Sequence, residues 1–113
     1  LRHTIFLDIS SQELGDAGAG RLAQAPLLTH VHGLNMASTF IGDDGLEALC
    51  DSPNLTHLRE LYLNDNPISD SGIRQLAMSP IIERLRHLDL RFTRISRDGA
   101  EFLRHVLKNR VIL

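Results

Sequence analysis

The stretch that decides the fold reads LRELYLNDNPI at residues 58–68 and SDSGIRQLAM at residues 69–78. Its first part follows the pattern L-x-x-L-x-L-x-x-N-x-L, which is typical of one short strand and an asparagine-containing turn. Leu61 and Leu63 alternate with Tyr62, so the leucines face one side of the strand and the tyrosine faces the other. The second part indicates a short amphipathic helix that meets the leucine side through Ile73 and Leu76.

This strand–helix unit recurs every 27 residues without insertion or deletion. The glycines at the predicted helix starts are Gly18, Gly45, Gly72 and Gly99. The strand pairs are Leu7/Ile9, Leu34/Met36, Leu61/Leu63 and Leu88/Leu90. One such unit cannot bury its apolar face alone, so neighbouring units are expected to stack into an array.

The repeated pattern resembles the leucine-rich repeat family. Its length is similar to the ribonuclease-inhibitor-like subtype and to 27-residue repeats found in tandem in bacterial proteins. The resemblance implies an α/β fold, a right-handed solenoid with an inner parallel sheet and outer helices. We expect one domain over residues 1–113, with units at about 1–27, 28–57, 58–84 and 85–113. The strands are predicted at about 5–9, 32–36, 59–63 and 86–90.

Two polar positions bear on how the units are joined. The column that contains Asn66 reads Gln12, Thr39, Asn66 and Thr93, so a continuous asparagine ladder is not expected, although all four side chains can form hydrogen bonds. Asp16 stands in the first turn of its helix, where it is expected to stabilise the amino-terminal end.

The repeat changes in its last unit. Leu107 stands where the earlier units have proline, so the last helix is expected to be longer. Residues 111–113 predict a further strand, with Ile112 equivalent to Leu85. This strand either closes the array or belongs to a fragment of a longer array, and the uncapped start favours the fragment. The uncapped ends also predict self-association through an exposed edge strand.

Composition restricts the class of protein. Aromatic residues make up 4% of the chain and tryptophan is absent, so the core must be aliphatic. No apolar run approaches the roughly 18 residues of a membrane span, so no membrane partner is expected. Cys50 is the only cysteine, which excludes an intrachain disulfide and favours a reducing, cytoplasmic location. Cys50 itself is expected to pack between helices.

The inner sheet face is the predicted contact surface for a protein partner. The candidate binding residues are Phe6, Asp8, Asn35, Glu60, Tyr62, Asn64, His87, Asp89 and Arg91. Phe6 and Tyr62 are the expected aromatic anchors and Arg91 the charged anchor, unless a preceding unit covers Phe6. Four arginines cluster in the last full unit, at 86, 91, 94 and 97, and an acidic segment of the partner is expected against Arg86, Arg91 and Arg94. Nucleic acid is less expected because the whole chain is slightly acidic.

Chemical motifs do not support catalysis. His87 and Asp89 are neighbours on the inner face, but no nucleophile motif or glycine-rich phosphate loop accompanies them. His3, His30 and His57 are 27 residues apart, yet this column has no carboxylate, so neither a metal nor another cofactor is expected. The sequence predicts a non-catalytic protein–protein interaction module. The alternative is a structural spacer or scaffold segment of a larger enzymatic or regulatory protein.

Overall fold

The computed structural model describes residues 4–113, which form an array of alternating strands and helices. The elements in chain order are β1 (Ile5–Asp8), α1 (Gly15–Ala23), β2 (Val31–Asn35), α2 (Asp43–Cys50), β3 (Glu60–Tyr62), α3 (Asp70–Met78), α4 (Ile81–Arg84), β4 (His87–Asp89), α5 (Arg97–Leu107) and β5 (Val111–Ile112). Short 3-10 turns at Pro26–His30 and Lys108–Arg110 lead directly into β2 and β5.

The sheet confirms the predicted fold. All neighbouring strands are parallel, and their order across the sheet follows the order along the chain. Leu34 pairs with Leu7 on one side and with Leu61 on the other, and Leu61 pairs with Leu88, so the 27-residue register holds from β1 to β4. Each connection contains a helix, as a parallel crossover requires. The α/β leucine-rich repeat solenoid is therefore confirmed.

The last strand departs from the prediction. Val111 pairs with Leu88, 23 residues earlier, so Ile112 lies beside Asp89 and not in the position equivalent to Leu85. The reason is that α5 is longer, as predicted, but ends at Leu107; Lys108 follows with a positive φ of 56°, and the chain then enters β5 within one short turn. Ile112 is consequently 38% exposed, whereas Leu85 is buried.

The core is aliphatic and continuous between the sheet and the helices. Leu61 and Leu88 are buried, as expected, and Cys50 packs partly buried against the core. The short helix α4, which was not predicted, adds Ile81 and Ile82 to the buried set. Leucines of the strands and apolar residues of the helices thus fill the space between the sheet and the helical layer.

Asn66 connects the second and third units. Its side chain is buried, and its Oδ1 atom accepts from the backbone N–H groups of Thr39 and Ile41 at 3.1 and 2.9 Å. Its Nδ2 atom donates to the carbonyl oxygens of Met36 and Leu63 at 2.8 and 3.1 Å. One asparagine therefore satisfies buried backbone groups in two units without a continuous ladder.

Aspartates link α1 to α2, α2 to α3 and α3 to α5, which gives Asp16 a role that the sequence did not predict. Asp16 lies in the first turn of α1, as predicted, but α1 has no side-chain cap hydrogen bond. The Asp16 carboxylate instead accepts from the N–H groups of Gly42 and Gly45, at 2.6 and 3.1 Å, where α2 begins. A Cβ atom at Gly45 would lie 2.6 Å from this carboxylate, so glycine leaves room for it. The equivalent links, with N–H···Oδ1 distances of 2.8 Å, are Asp43–Ser69 and Asp70–Ser96.

Candidate binding surface

Strand pairing places the predicted site residues in rows across the inner face. Phe6, Gly33, Glu60 and His87 are neighbours in one row. Asp8, Asn35, Tyr62 and Asp89 are neighbours in the next. Asn64 and Arg91 follow their strands two residues later, at the border between the sheet and the loops. These residues therefore lie on the inner face or at its border. The surroundings of each side chain decide whether a partner can contact it.

Three rings form an aromatic row across the inner face. The ring centroids of Phe6 and Tyr62 are 5.9 Å apart, and those of Tyr62 and His87 are 5.0 Å apart. Phe6 lies over Gly33, where a Cβ atom would come within 2.3 Å of the phenylalanine ring. Glycine at this position thus allows Phe6 to reach Tyr62, while about half of its surface stays exposed.

The Tyr62 hydroxyl is held as a neutral donor. It donates a hydrogen bond of 2.9 Å to a carboxylate oxygen of Glu60. Burial raises the pKa of Tyr62, and the Glu60 carboxylate raises it further because it stabilises the protonated phenol. Glu60 therefore fixes the orientation of the central ring of the aromatic row.

The other three side chains in the row that contains Tyr62 form hydrogen bonds that stabilise the fold. In these three residues, the side-chain Oδ1 atom accepts from the backbone N–H group two positions later. The pairs, each at 3.0 Å, are Asp8–Ser10, Asn35–Ala37 and Asp89–Arg91. These side chains stabilise the turns that follow their strands. For Asp8, the hydroxyl and N–H group of Ser10 lower the pKa of the carboxyl.

Asp89 and Arg91 form an ion pair, and the solvent exposure expected for Asp89 is wrong. Asp89 was predicted to face solvent, but it is 2% exposed: it lies between Tyr62 of β3 and Ile112 of β5 and binds the Arg91 side chain. The Nη2 atom of Arg91 lies 2.8 Å from Oδ2 of Asp89, and its Nε atom lies 3.1 Å from Oδ1. Burial alone would raise the pKa of Asp89, but the hydrogen bonds from Arg91 outweigh it and the pKa is lowered. The charge of Arg91 is therefore already paired.

A pocket beside the sheet was not predicted from the sequence. This loop-edge pocket is a cavity of ≈ 300 Å³ on the loops that follow β2, β3 and β4. Its lining residues are Ser38, Phe40, Asp65, Asn66, Pro67, Phe92 and Arg94. Phe40 and Phe92 are 65% and 80% exposed. The only signal in the sequence is that phenylalanine stands at position 92, where the equivalent positions are Ser11, Ser38 and Asp65.

The histidine column does not assemble a metal site within residues 4–113. His3 lies outside the described residues. The Nδ1 atom of His57 is 2.9 Å from the carbonyl oxygen of Thr29, and its ring lies 5.9 Å from that of His32. No group of three or more histidine, cysteine or acidic residues in the described range could hold a metal ion. None of the helices described is long and apolar enough to cross a bilayer.

The comparison with protein families agrees with the repeat register. The family model described as Leucine Rich repeat matches residues 28–50, 54–77 and 85–103, which together cover more than half of the chain. No curated protein matches the chain. Repeats of this family generally mediate protein–protein interactions. The matched segments carry the strands β2, β3 and β4, all of α2 and most of α3 and α5, and the chain therefore belongs to the leucine-rich repeat family.

Proposed function

We propose that this chain is a non-catalytic protein-binding module whose partner contacts the inner face of the sheet. The observation that carries the proposal is the aromatic row of Phe6, Tyr62 and His87. Aromatic side chains provide a large apolar contact area and are enriched among residues that dominate binding energy. Tyr62 lies at the centre of the row, so it is the expected anchor.

The charge of the partner follows from which arginines are free. Arg91 is paired with Asp89, whereas Arg86 is exposed and has no ion pair among residues 4–113. Arg86 directly precedes His87 and β4 in the chain, so an acidic group of the partner is expected to bind Arg86 where this strand begins. Complementary charge of this kind sets orientation and encounter rate more than affinity.

The test first crosslinks the partner to the aromatic row and then measures the affinity of the purified partner. A photo-crosslinking phenylalanine analogue replaces Tyr62 in the protein, and the same analogue replaces Glu47, which is exposed on α2, as the matched control. The captured protein is then purified and titrated against Tyr62→Ala and Glu47→Ala. We expect Tyr62→Ala to weaken binding about tenfold or more, mainly through faster dissociation, and Glu47→Ala to leave it unchanged.

The alternative is a structural spacer or scaffold segment. It is favoured by one observation: Asp8, Asn35 and Asp89 use their side chains for turns of their own unit and offer little to a partner. A partner that binds Tyr62→Ala as tightly as the parent protein would contradict an inner-face site and support this alternative. Self-association of the array also stays a prediction, which sedimentation over a wide concentration range would test.

A further inference from the structure

We infer that the loop-edge pocket binds a peptide segment in which a large apolar side chain stands next to a carboxylate. The pocket lies on the loops that follow β2, β3 and β4, beside the sheet and not on its inner face. It is therefore a second surface, and the inference does not depend on the aromatic row.

The two phenylalanines are not explained by folding. Phe40 and Phe92 project into solvent and are not part of the core. Both have left-handed backbone angles, with φ of 61° and 59°. This conformation is unfavourable for a bulky side chain. At position 92 it belongs to the repeated turn, because Ser11, Ser38 and Asp65 also have a positive φ. The turn at 92 accepts serine or aspartate in the other units, so the phenylalanine ring is dispensable for the turn.

The size and lining of the pocket fit one apolar side chain. Phe40, Pro67 and Phe92 supply the apolar lining of the cavity, whose volume of ≈ 300 Å³ is at the lower end of the range for ligand sites. A space of this size admits a single large residue of a peptide. A leucine, phenylalanine or tryptophan side chain placed there would remove apolar surface of both phenylalanines from water.

The charge of the pocket lining indicates which residue stands next to the apolar side chain in the bound peptide. Arg94 is exposed and has no ion pair among residues 4–113. Its guanidinium group can bind a carboxylate through two parallel hydrogen bonds. An acidic residue next to the apolar side chain would provide that carboxylate at the required short range.

The carboxylate of Asp65 favours a peptide over a nucleic acid as the ligand of the pocket. Its carboxylate accepts a hydrogen bond of 2.6 Å from the Ser38 hydroxyl and has no cationic partner in the described part of the chain. A carboxylate keeps further acceptor capacity, which a peptide N–H group can use. The same negative charge repels a phosphate backbone, which is charged at every nucleotide, whereas a peptide with one carboxylate can pair it with Arg94, so the pocket matches a peptide better than a single-stranded nucleic acid.

The experiment uses defined probes and NMR titration of the ¹⁵N-labelled protein. The probe is the acetylated and amidated tetrapeptide Gly-Trp-Asp-Gly, and the matched controls are Gly-Trp-Asn-Gly and Gly-Ala-Asp-Gly. We expect Gly-Trp-Asp-Gly, at roughly 1–10 mM, to shift the backbone amides of Ser38, Phe40, Asp65 and Phe92 in a saturable way. The tryptophan-free control should leave these amides unshifted, and the asparagine control should bind about tenfold more weakly.

Three protein variants assign the contacts. Phe92→Ser introduces the residue found at the equivalent turns, so it should fold normally and abolish the shifts. Arg94→Gln should remove the preference for aspartate over asparagine in the probe. Tyr62→Ala, on the inner face, should leave the titration unchanged, so this result is independent of the proposed function.

Other outcomes would overturn the inference. No saturable shift at these amides, or equal shifts in the parent protein and in Phe92→Ser, would exclude the pocket as a peptide site. Stronger binding of oligothymidylate at the same amides, with a steep salt dependence, would identify nucleic acid as the occupant. A dimer that is lost in Phe92→Ser would show that a second copy of the chain occupies the pocket.

Discussion

Replacement of Asn66 by alanine should destabilise the fold more than its size suggests. The Oδ1 atom of Asn66 is the acceptor for the N–H groups of Thr39 and Ile41, which are both fully buried. Alanine would leave both donors without a partner, and each buried unsatisfied group costs about 1–3 kcal/mol. The expected loss of unfolding free energy is therefore roughly 2–6 kcal/mol, a large fraction of the total stability of such a domain.

Relaxation of the turn sets the lower end of this range. The turn opposite Thr93 has no asparagine to bind it, and there the N–H group of Ile68 donates to the backbone oxygen of Asn66 at 2.8 Å. The turn opposite Asn66 can adopt the same arrangement once the amide is removed. Asn66→Thr, which introduces the residue found at 39 and 93, should for this reason cost less than Asn66→Ala.

Urea unfolding followed by circular dichroism measures the effect. With an m value of about 2 kcal/mol/M, Asn66→Ala should lower the midpoint by at least about 1 M. Asn64→Ala is the matched control, because the Asn64 side chain has no hydrogen bond within residues 4–113 and its loss should cost less than about 0.5 kcal/mol. Equal midpoints for the two alanine variants would refute the reasoning.

Three further predictions concern the core and the titrating groups. Leu61→Ala should cost roughly 2–5 kcal/mol, because Leu61 is buried between neighbouring units, and an unchanged urea midpoint would contradict this. The hydrogen bonds from the Ser96 hydroxyl and N–H group lower the pKa of Asp70. The link therefore stabilises the fold fully at a pH above the ordinary pKa of aspartate, and this stabilisation is lost as the pH falls through the lowered pKa. The melting temperature should accordingly fall less between pH 6 and pH 3 for Asp70→Asn than for the parent protein. Burial raises the pKa of the Cys50 thiol to about 11, so at pH 8 only about 0.1% is thiolate, and iodoacetamide should label Cys50 slowly until the protein is unfolded in urea.

The repeat made most of the fold predictable. A fixed 27-residue register places equivalent residues on neighbouring strands, so the pairing of Leu7, Leu34, Leu61 and Leu88 followed from counting. The alternation of side chains then assigned Phe6, Tyr62 and His87 to the inner face. Both deductions depend only on backbone geometry, which repeats with the sequence.

The environments of individual side chains were less predictable. Asp89 was assigned to the correct face, but it is buried between β3 and β5 and paired with Arg91, and alternation carries no information on these contacts. Asp16 was assigned to its own helix because capping rules are local, whereas its carboxylate reaches the next unit. The position of β5 depends on where α5 ends, and α5 ends at Leu107, directly before the positive φ of Lys108.

Departures from the repeat point to the surfaces that binding can use. A residue that fits its column already serves the fold, as the turn-stabilising side chains of Asp8, Asn35 and Asp89 do. Tyr62 stands in that same row without such a bond, and its ring makes contacts across the strands instead. Phe92 likewise replaces the small polar residues of its column and is left exposed. Because neither ring is needed by the repeated scaffold, the two proposed surfaces can be altered one at a time, and a ligand of either surface can be assigned without loss of the fold.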